Sequence, residues 1–472
     1  MSISLKNNLQ LYLISTVIFF TIMFIWKFNG LYGQDSHEYL CYSRSLSLYF
    51  SEGKTLNNFF WSVYYPLSGA ILSFITSNNI LSLQHISLAS FLFAIFYIQR
   101  ILRLIYVESQ ENISLYILIA FAVSPIMLIN SQVIMSDMLC LFFITAGFYH
   151  SLKFESELQQ KDFLFAVLFM TAAVFTRYAS AVVLLIPAVI MLKTFLRNFN
   201  VSTLFISLLI IIVLIIPEFV FKSGSKFEVL NNVWLTKWNA ANLFGANFST
   251  PEGNFNYRFF NIIYVFYNLF HPAFIFTGII LIPFIRIRDF EINGVMQSLL
   301  IIILYGIFIA GIPFQNLRFL LPTFPFVIIL MYKPFIRLKS YHKNPLIKNF
   351  LIMSVIIIQL LLYGYMFNNI YKQNKLEREI SNYLKDFPGR IIYTFSIDPA
   401  LRSYKVKNLI INLWEEKITD YKTSSLILFN EQKFAKQWAE ENPMINWKYM
   451  MANYPTKKIK QFEYGWELYE IE

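Results

Sequence analysis

Cysteine and charge are the scarcest features of this sequence. Of 472 residues only Cys41 and Cys140 are cysteines, both in apolar surroundings, which excludes a disulfide-stapled secreted domain. Charged residues make up 14%, where soluble globular chains carry about a quarter. Hydrophobic residues reach 57%, and 50 phenylalanines outnumber the 39 lysines and arginines together. A water-soluble core cannot hide that excess, so a soluble enzyme is excluded, and a disordered chain more so. The composition implies a polytopic membrane protein.

The formal net charge is +11. From Asn369 to the end there are 16 basic and 14 acidic residues, so the first 368 residues carry the remaining +9. Most of that charge lies in short loops between apolar stretches, as topology signals do. There is no basic stripe with interleaved aromatics, so no nucleic-acid partner is expected.

A membrane span needs about 17–25 apolar residues. Leu9–Trp26 is the first; no small-residue cleavage site follows it, and it reads as an uncleaved helix. Further stretches are Leu81–Ile98, Ile113–Met135, Met138–Leu152, Phe163–Thr176, Tyr178–Leu192, Val201–Phe221, Phe259–Ile285, Val295–Pro313, Phe319–Tyr332 and Phe350–Phe367, about eleven spans in all. Lys153 and Lys161 precede the run from Phe163 to Leu192, and Lys193 and Arg197 follow it. Both its ends are therefore cytoplasmic and Arg177 sits at an external hairpin tip. On this scheme Lys6, Arg100, Arg103, Arg286, Arg288 and the cluster Lys333, Arg337, Lys339, Lys343 and Lys348 also fall inside.

The expected organisation is a transmembrane domain over residues 1–368, with external loops at 27–80 and 222–258, and an extracytoplasmic domain over 369–472. In the tail, Arg390–Ile397, Leu409–Leu413 and Leu426–Phe429 read as strands, Glu431–Glu441 as a helix, and Lys457–Tyr464 with Trp466–Ile471 as a hairpin. The fold class is thus mostly α, a polytopic membrane protein with a small C-terminal α/β domain, the N-terminus lying in the cytoplasm. A bacterial inner or plasma membrane fits.

Few ionisable residues have no topological role. Asp35, His37, Glu38, Asp137, Arg177 and Arg318 lie near span ends on the external side. Each alone reads as a solvated loop charge, but charged groups at a membrane boundary are costly unless paired or functional, and these converge on one side. A carboxylate can take a proton from an acceptor hydroxyl, and arginine offers a planar fork for phosphate. A transporter would place its carboxylates near mid-bilayer; Glu218, beside Pro217, is the one candidate, and it reads better as a span-end residue.

These residues also carry a resemblance. Gly33-Gln34-Asp35-Ser36-His37-Glu38-Tyr39 resembles the first-external-loop motif of the glycosyltransferase-C superfamily, in the family-39-like branch of protein O-mannosyltransferases and lipid A aminoarabinose transferases. Ser136-Asp137 is similar to the family's second acidic residue, and Thr176-Arg177-Tyr178 to its arginine-bearing turn. Arg318-Phe319-Leu320-Leu321-Pro322-Thr323-Phe324-Pro325 is similar to its Arg-Tyr-Leu-Leu-Pro-x-x-Pro pattern. The resemblance implies inverting transfer of a sugar from a polyprenyl-phosphate donor to an acceptor hydroxyl of a lipid, glycan or protein. Carried over, Asp35 is the general base and Asp137 orients the acceptor or an arginine. Arg318 and Arg177 contact the donor, and His37, Glu38 and Tyr39 neighbour the base as substrate-binding candidates. One departure is plain: where many members of that family have Lys-Pro-Pro-Leu before the second span, this chain has Tyr64-Tyr65-Pro66-Leu67, so that either Lys54 or an arginine replaces the lysine or the donor site differs.

No cofactor is expected, and Asp35, His37 and Glu38 lack a second ligand set for a metal. The loop from Lys222 to Arg258 carries Trp234, Trp238, Phe244, Phe248, Phe255 and Tyr257, which read as an interfacial aromatic belt before a sugar platform. The competing functions are a transporter or flippase of lipid-linked sugars, and a catalytically inactive scaffold relative.

Overall fold

The computed structural model describes residues 3–107, 112–222, 233–250, 252–274, 276, 278–341 and 344–472, with side chains from residue 10 onward except at 233 and 234. Lys343, the Trp234 side chain, the Lys6 side chain and residues 223–232 of the second loop therefore lie outside the described residues. The chain divides into two compact units. The first comprises residues 1–30, 42–244 and 259–367; the second comprises 31–41, 245–258 and 368–472.

The apolar stretches become helices. They begin with α1 (Ile3–Ile25), α2 (Gly33–Glu52), α3 (Tyr64–Thr76) and α4 (Asn79–Ile105). Next come α5 (Ile113–Ile117), which runs into a π turn at Leu118–Ala122, and α6 (Pro125–Gln132). The α7 (Asp137–Glu157), α8 (Gln160–Thr176), α9 (Ser180–Arg197) and α10 (Val201–Phe221) helices follow. After the short α11 (Val233–Thr236), α12 (Asn261–Leu269) and α13 (Gly278–Leu281) come α14 (Asn293–Ala310), α15 (Phe324–Tyr341) and α16 (Pro345–Leu384). Among the described residues six helices are long and apolar enough to cross a membrane, or seven if the bent pair Ile113–Ala122 and Pro125–Gln132 is one span.

Two expected spans differ from single helices. Ile113–Met135 bends by 69° where Ser124 and Pro125 restart the helix; proline has no N–H to continue the preceding ladder. Phe259–Ile285 is broken into α12, α13 and 3₁₀ turns rather than one helix, with Pro272 and Pro283 inside it. The segment 27–80, expected as a loop, contains α2 and α3.

Among the six long apolar helices of the described residues, the stretch Leu317–Tyr341 that contains α15 is the most enclosed, with Phe324 to Tyr332 buried throughout. It packs with Phe91, Ile95 and Ile98 of α4 and with Ile144 and Phe148 of α7 in one apolar core. Several polar groups inside this core are paired, as a low-dielectric interior favours. Tyr106 and Tyr116 hydroxyls donate to the carbonyls of Ile329 (2.9 Å) and Ile328 (2.8 Å). Gln359 Nε2 donates to Ile119 O in the π turn at 2.7 Å. Asp162 pairs with His150 (2.7 Å) and Lys153 (3.2 Å), and Asp289 with Arg337.

The second unit is an α/β domain. A small antiparallel hairpin joins β1 (Asn247–Thr250) and β2 (Gly253–Asn256). The main sheet has β3 (Ile392–Thr394), β4 (Ile410–Asn412), β5 (Leu426–Phe429), β6 (Thr456–Gln461) and β7 (Glu467–Ile471), ordered β4-β3-β5-β7-β6. β3 lies parallel to β4 and β5, while β7 pairs antiparallel with β5 and β6. The central strand Leu-Ile-Leu-Phe is buried at every position, as a strand covered on both faces should be. At the edge, β6 carries Lys457, Lys458 and Lys460 and an irregular register between the last two, both of which discourage pairing with another strand. Leu376, Ile380 and Leu384 of α16 pack onto this sheet with Trp438, Met444 and Trp447. The expected strands and closing hairpin are present. The expected helix Glu431–Glu441 is shorter, ending as α18 (Glu431–Phe434), and α19 (Asn442–Asn453) follows it with Pro443 in its first turn. The α17 helix (Asp398–Ser403) follows β3.

Candidate active site

The first unit brings together three of the residues singled out in the sequence. Asp137 opens α7, where the positive end of the helix dipole favours a carboxylate. It is 3% exposed and pairs with Arg177 through Nη1 and with Arg318 Nε at 3.3 Å. The contacts are ion pairs without aligned hydrogen bonds. Arg177 stands in the break between α8 and α9, in extended backbone, held by its N–H on Ala173 O (2.9 Å) and by Ser180 N–H on its own carbonyl (2.9 Å). Arg318 lies in the 3₁₀ turn Leu317–Thr323, which Asn316 caps by accepting from Arg318 N at 3.0 Å. Its Nη1 donates to Met135 Sδ at 2.7 Å. The Arg177 guanidinium faces the Phe319 ring at 5.9 Å, and Phe319 is fixed by Tyr305 Oη donating to its carbonyl (2.9 Å). Arg177 and Arg318 are 15% and 20% exposed, so one buried carboxylate holds two guanidiniums at a boundary between apolar core and open surface.

Glu218 completes this region, with a role the sequence reading did not give it. Near the end of α10, it is buried and accepts from Ser62 Oγ (2.6 Å), Val63 N (3.0 Å) and Tyr178 Oη (2.9 Å). A buried carboxylate with three donors is well compensated. It ties α10 to the segment before α3 and to the residue after Arg177. The signal was present: a lone glutamate within an otherwise uncharged run of 21 residues. At the position of the lysine that the resemblance implies, Tyr64 donates to Leu214 O, and Tyr65 donates to Leu83 O (3.0 Å) beside Ser87 Oγ (2.8 Å). Lys54 is exposed and pairs with Glu52 at 2.6 Å.

In the second unit Asp35 sits, partly exposed, in the first turn of α2. The turn is fixed by Ser36, whose Oγ accepts from Tyr32 N at 2.6 Å. His37 is 1% exposed, with Nδ1 2.6 Å from Ser403 Oγ and Nε2 2.9 Å from Glu377 Oε2. The Tyr404 ring lies against it at 5.6 Å. Ser403 also donates to Ala400 O at 2.9 Å, and Gln373 Nε2 donates to Glu377 Oε1 at 2.8 Å. Asn374 Nδ2 donates to Leu31 O at 2.8 Å, so α16 grips the start of α2 at two points. Glu38 accepts from Arg402 at 2.9 Å, and burial raises its carboxyl above the ordinary value against the opposing pull of that arginine. Tyr39 is buried. Within this unit His37 and Tyr39 are packed side chains, while Asp35 and Glu38 are partly exposed.

The loop aromatics separate. Trp238 docks in the first unit, its Nε1 donating to Phe308 O at 2.9 Å, and Phe244 there is exposed. Phe248 and Phe255 face each other in the β1–β2 hairpin, with Tyr257 stacked on Phe255 at 6.1 Å. Among the described residues no group of three or more His, Cys, Asp or Glu is arranged to hold a metal ion.

No family model matches the sequence, and no curated protein matches it. Solved structures do. The chain is similar to ArnT, a lipid A aminoarabinose transferase from Cupriavidus metallidurans, bound to undecaprenyl phosphate: TM-score 0.65, 10% identity, 98% of this chain and 97% of that one covered. The apo state of ArnT gives a TM-score of 0.60 at 10% identity over 96% and 97%. The oligosaccharyltransferase of Archaeoglobus fulgidus, tethered to an acceptor peptide, gives 0.50 at 10% identity over 98% of this chain and 74% of that one. At these identities the likeness speaks to architecture, and the chain has the fold of the glycosyltransferase-C superfamily.

Proposed function

We propose that this chain is a multi-pass membrane glycosyltransferase that moves a sugar from a polyprenyl-phosphate donor to an acceptor hydroxyl with inversion, on the extracytoplasmic face. The observation that carries the reading is the buried Asp137 holding Arg177 and Arg318 at the rim of an apolar core. Two planar guanidiniums around one carboxylate suit a phosphate: they grip its oxygens in forks and stabilise the charge that grows there as the bond to the sugar breaks. The apolar helices beside them suit a prenyl chain. The fold is shared with ArnT bound to undecaprenyl phosphate, which supports a carrier of the same chemical kind.

In this reading the acceptor oxygen forms a bond to the anomeric carbon as its proton passes to a carboxylate, for which Asp35 is the residue the sequence resemblance names. The bond between that carbon and the phosphate oxygen breaks, and the polyprenyl phosphate leaves with the electron pair. Asp137 acts by orienting the arginines.

The test is native mass spectrometry of the purified protein loaded with undecaprenyl phosphate, for wild type, Arg318→Ala and Arg318→Lys. Retention lost in Arg318→Ala and partly restored in Arg318→Lys is the expected result. Equal retention in all three would overturn the assignment of the arginines to the phosphate.

A further inference from the structure

The basic cluster at the far end of α15 is not consumed by the proposed reaction, and its members have different surroundings. Arg337 is committed to Asp289 and to Phe284 O at 2.7 Å. Lys333 lies 5.6 Å from the centre of the Tyr106 ring. Lys339 and Lys348 instead border one crevice of about 120 Å³ between the end of α15 and the beginning of α16, whose walls include Ile119, Phe335, Leu351 and Val355. The Lys339 ammonium is oriented by Asn112 Oδ1. Further along α16, Gln359 donates to the π-turn carbonyl of Ile119, a residue that also lines the crevice. A π turn widens the helix and shifts its side chains out of the regular ladder, a distortion that recurs at functional sites.

The crevice lies far from the arginines. The helical stretch Leu317–Tyr341 has 25 residues. At about 1.5 Å per residue, Arg318 and Lys339 stand roughly 30 Å apart along it, the thickness of a hydrocarbon core. An apolar slot with two ammonium groups at one membrane boundary fits an amphiphile with a chain and a phosphate. We infer that this crevice binds an anionic diacyl phospholipid of the leaflet opposite Arg318, with its headgroup between Lys339 and Lys348 and part of an acyl chain against Ile119, Leu351 and Val355. The inference rests on the membrane-spanning reading of the helices and not on the transfer reaction. Basic pockets between spanning helices bind anionic headgroups by the same physics, desolvated charge pairing at the interface.

The experiment is native mass spectrometry of the full chain released from lipid discs containing equal amounts of phosphatidylglycerol and phosphatidylethanolamine. Wild type should retain phosphatidylglycerol in roughly fivefold or greater excess. Lys339→Gln/Lys348→Gln should bring the two lipids to parity, and Lys348→Arg should keep the excess. Parity in wild type, an excess unchanged in the double variant, or loss of a polyprenyl phosphate in place of phosphatidylglycerol would each overturn the lipid site. Failure of the chain to enter the discs would overturn the membrane-spanning reading, and the site with it.

Discussion

The coupling between Asp137 and its two arginines makes a prediction with a change of sign. Asp137 is 3% exposed, while the arginine side chains keep 15% and 20% of their surface. Removing one partner of a buried ion pair costs about 3–5 kcal/mol, chiefly through the charge left behind. The residual exposure of the arginines lets water screen them, so Asp137→Asn should cost about 3 kcal/mol, the low end of that range. Arg318→Gln in the wild-type background removes the 3.3 Å contact to Asp137 and the hydrogen bond to Met135 Sδ, leaves Asp137 paired with Arg177, and should cost about 1 kcal/mol. In the Asp137→Asn background the carboxylate between the two guanidiniums is gone, Arg318 and Arg177 repel as like charges, and removal of Arg318 should stabilise. A double-mutant cycle, read from denaturation of the four proteins in mixed micelles, measures this directly. Additivity within about 0.5 kcal/mol would refute the argument that one carboxylate holds both arginines.

Three further outcomes follow from other parts of the structure. Burial pushes the Asp398 carboxyl up from 3.8 to about 6, against the pull of Arg402. Between those values the folded chain holds a proton that the unfolded chain releases, so stability falls as pH rises through that window and levels off above it, by at most about 3 kcal/mol. Asp398→Asn should flatten this slope in thermal melts taken from pH 4 to 7, and an unchanged slope would assign it elsewhere. Glu218→Gln replaces one of the two accepting oxygens by an NH2 donor, so one side of this network loses its acceptor, and should cost about 1–3 kcal/mol, seen as faster thermal inactivation in detergent, with Ser62→Ala milder. Gly253→Ala should cost about 1 kcal/mol or more, because φ is +97° and a Cβ would lie 2.6 Å from Gln437 O; faster protease cleavage between 245 and 258 is the readout.

Much of the architecture was legible because a membrane span is written in composition. Val201–Phe221 is a helix over the same residues that form the apolar run, and the strand at Leu426–Phe429 has the bounds its apolar residues suggest. Apolarity alone does not distinguish a straight helix from a broken one, and there the reading failed: Pro272 and Pro283 were the available signals in Phe259–Ile285. Likewise the apolar run ends at Phe367, whereas α16 continues to Leu384, its helical spacing carried on by Leu376, Ile380 and Leu384. Asn442-Pro443 was an unread helix start. Asp137, Arg177 and Arg318, which the structure brings together, each stand out in the sequence as a charge without a topological role. The partners of Glu218 do not, since Ser62, Val63 and Tyr178 are distant in sequence and ordinary in type.

That separation has a consequence in time. Ser62 and Val63 leave the ribosome 156 and 155 residues before the carboxylate that accepts from them. At about 5–20 residues per second this is roughly 8–30 s of synthesis. Throughout that interval the acceptor for the Ser62 and Val63 donors does not yet exist, whereas Asp137 meets Arg177 after only 40 residues. A nascent chain halted just short of Glu218 therefore already contains the Asp137–Arg177 pair but not the tie that fastens the segment ahead of α3, making α10 the element whose arrival completes this corner of the molecule.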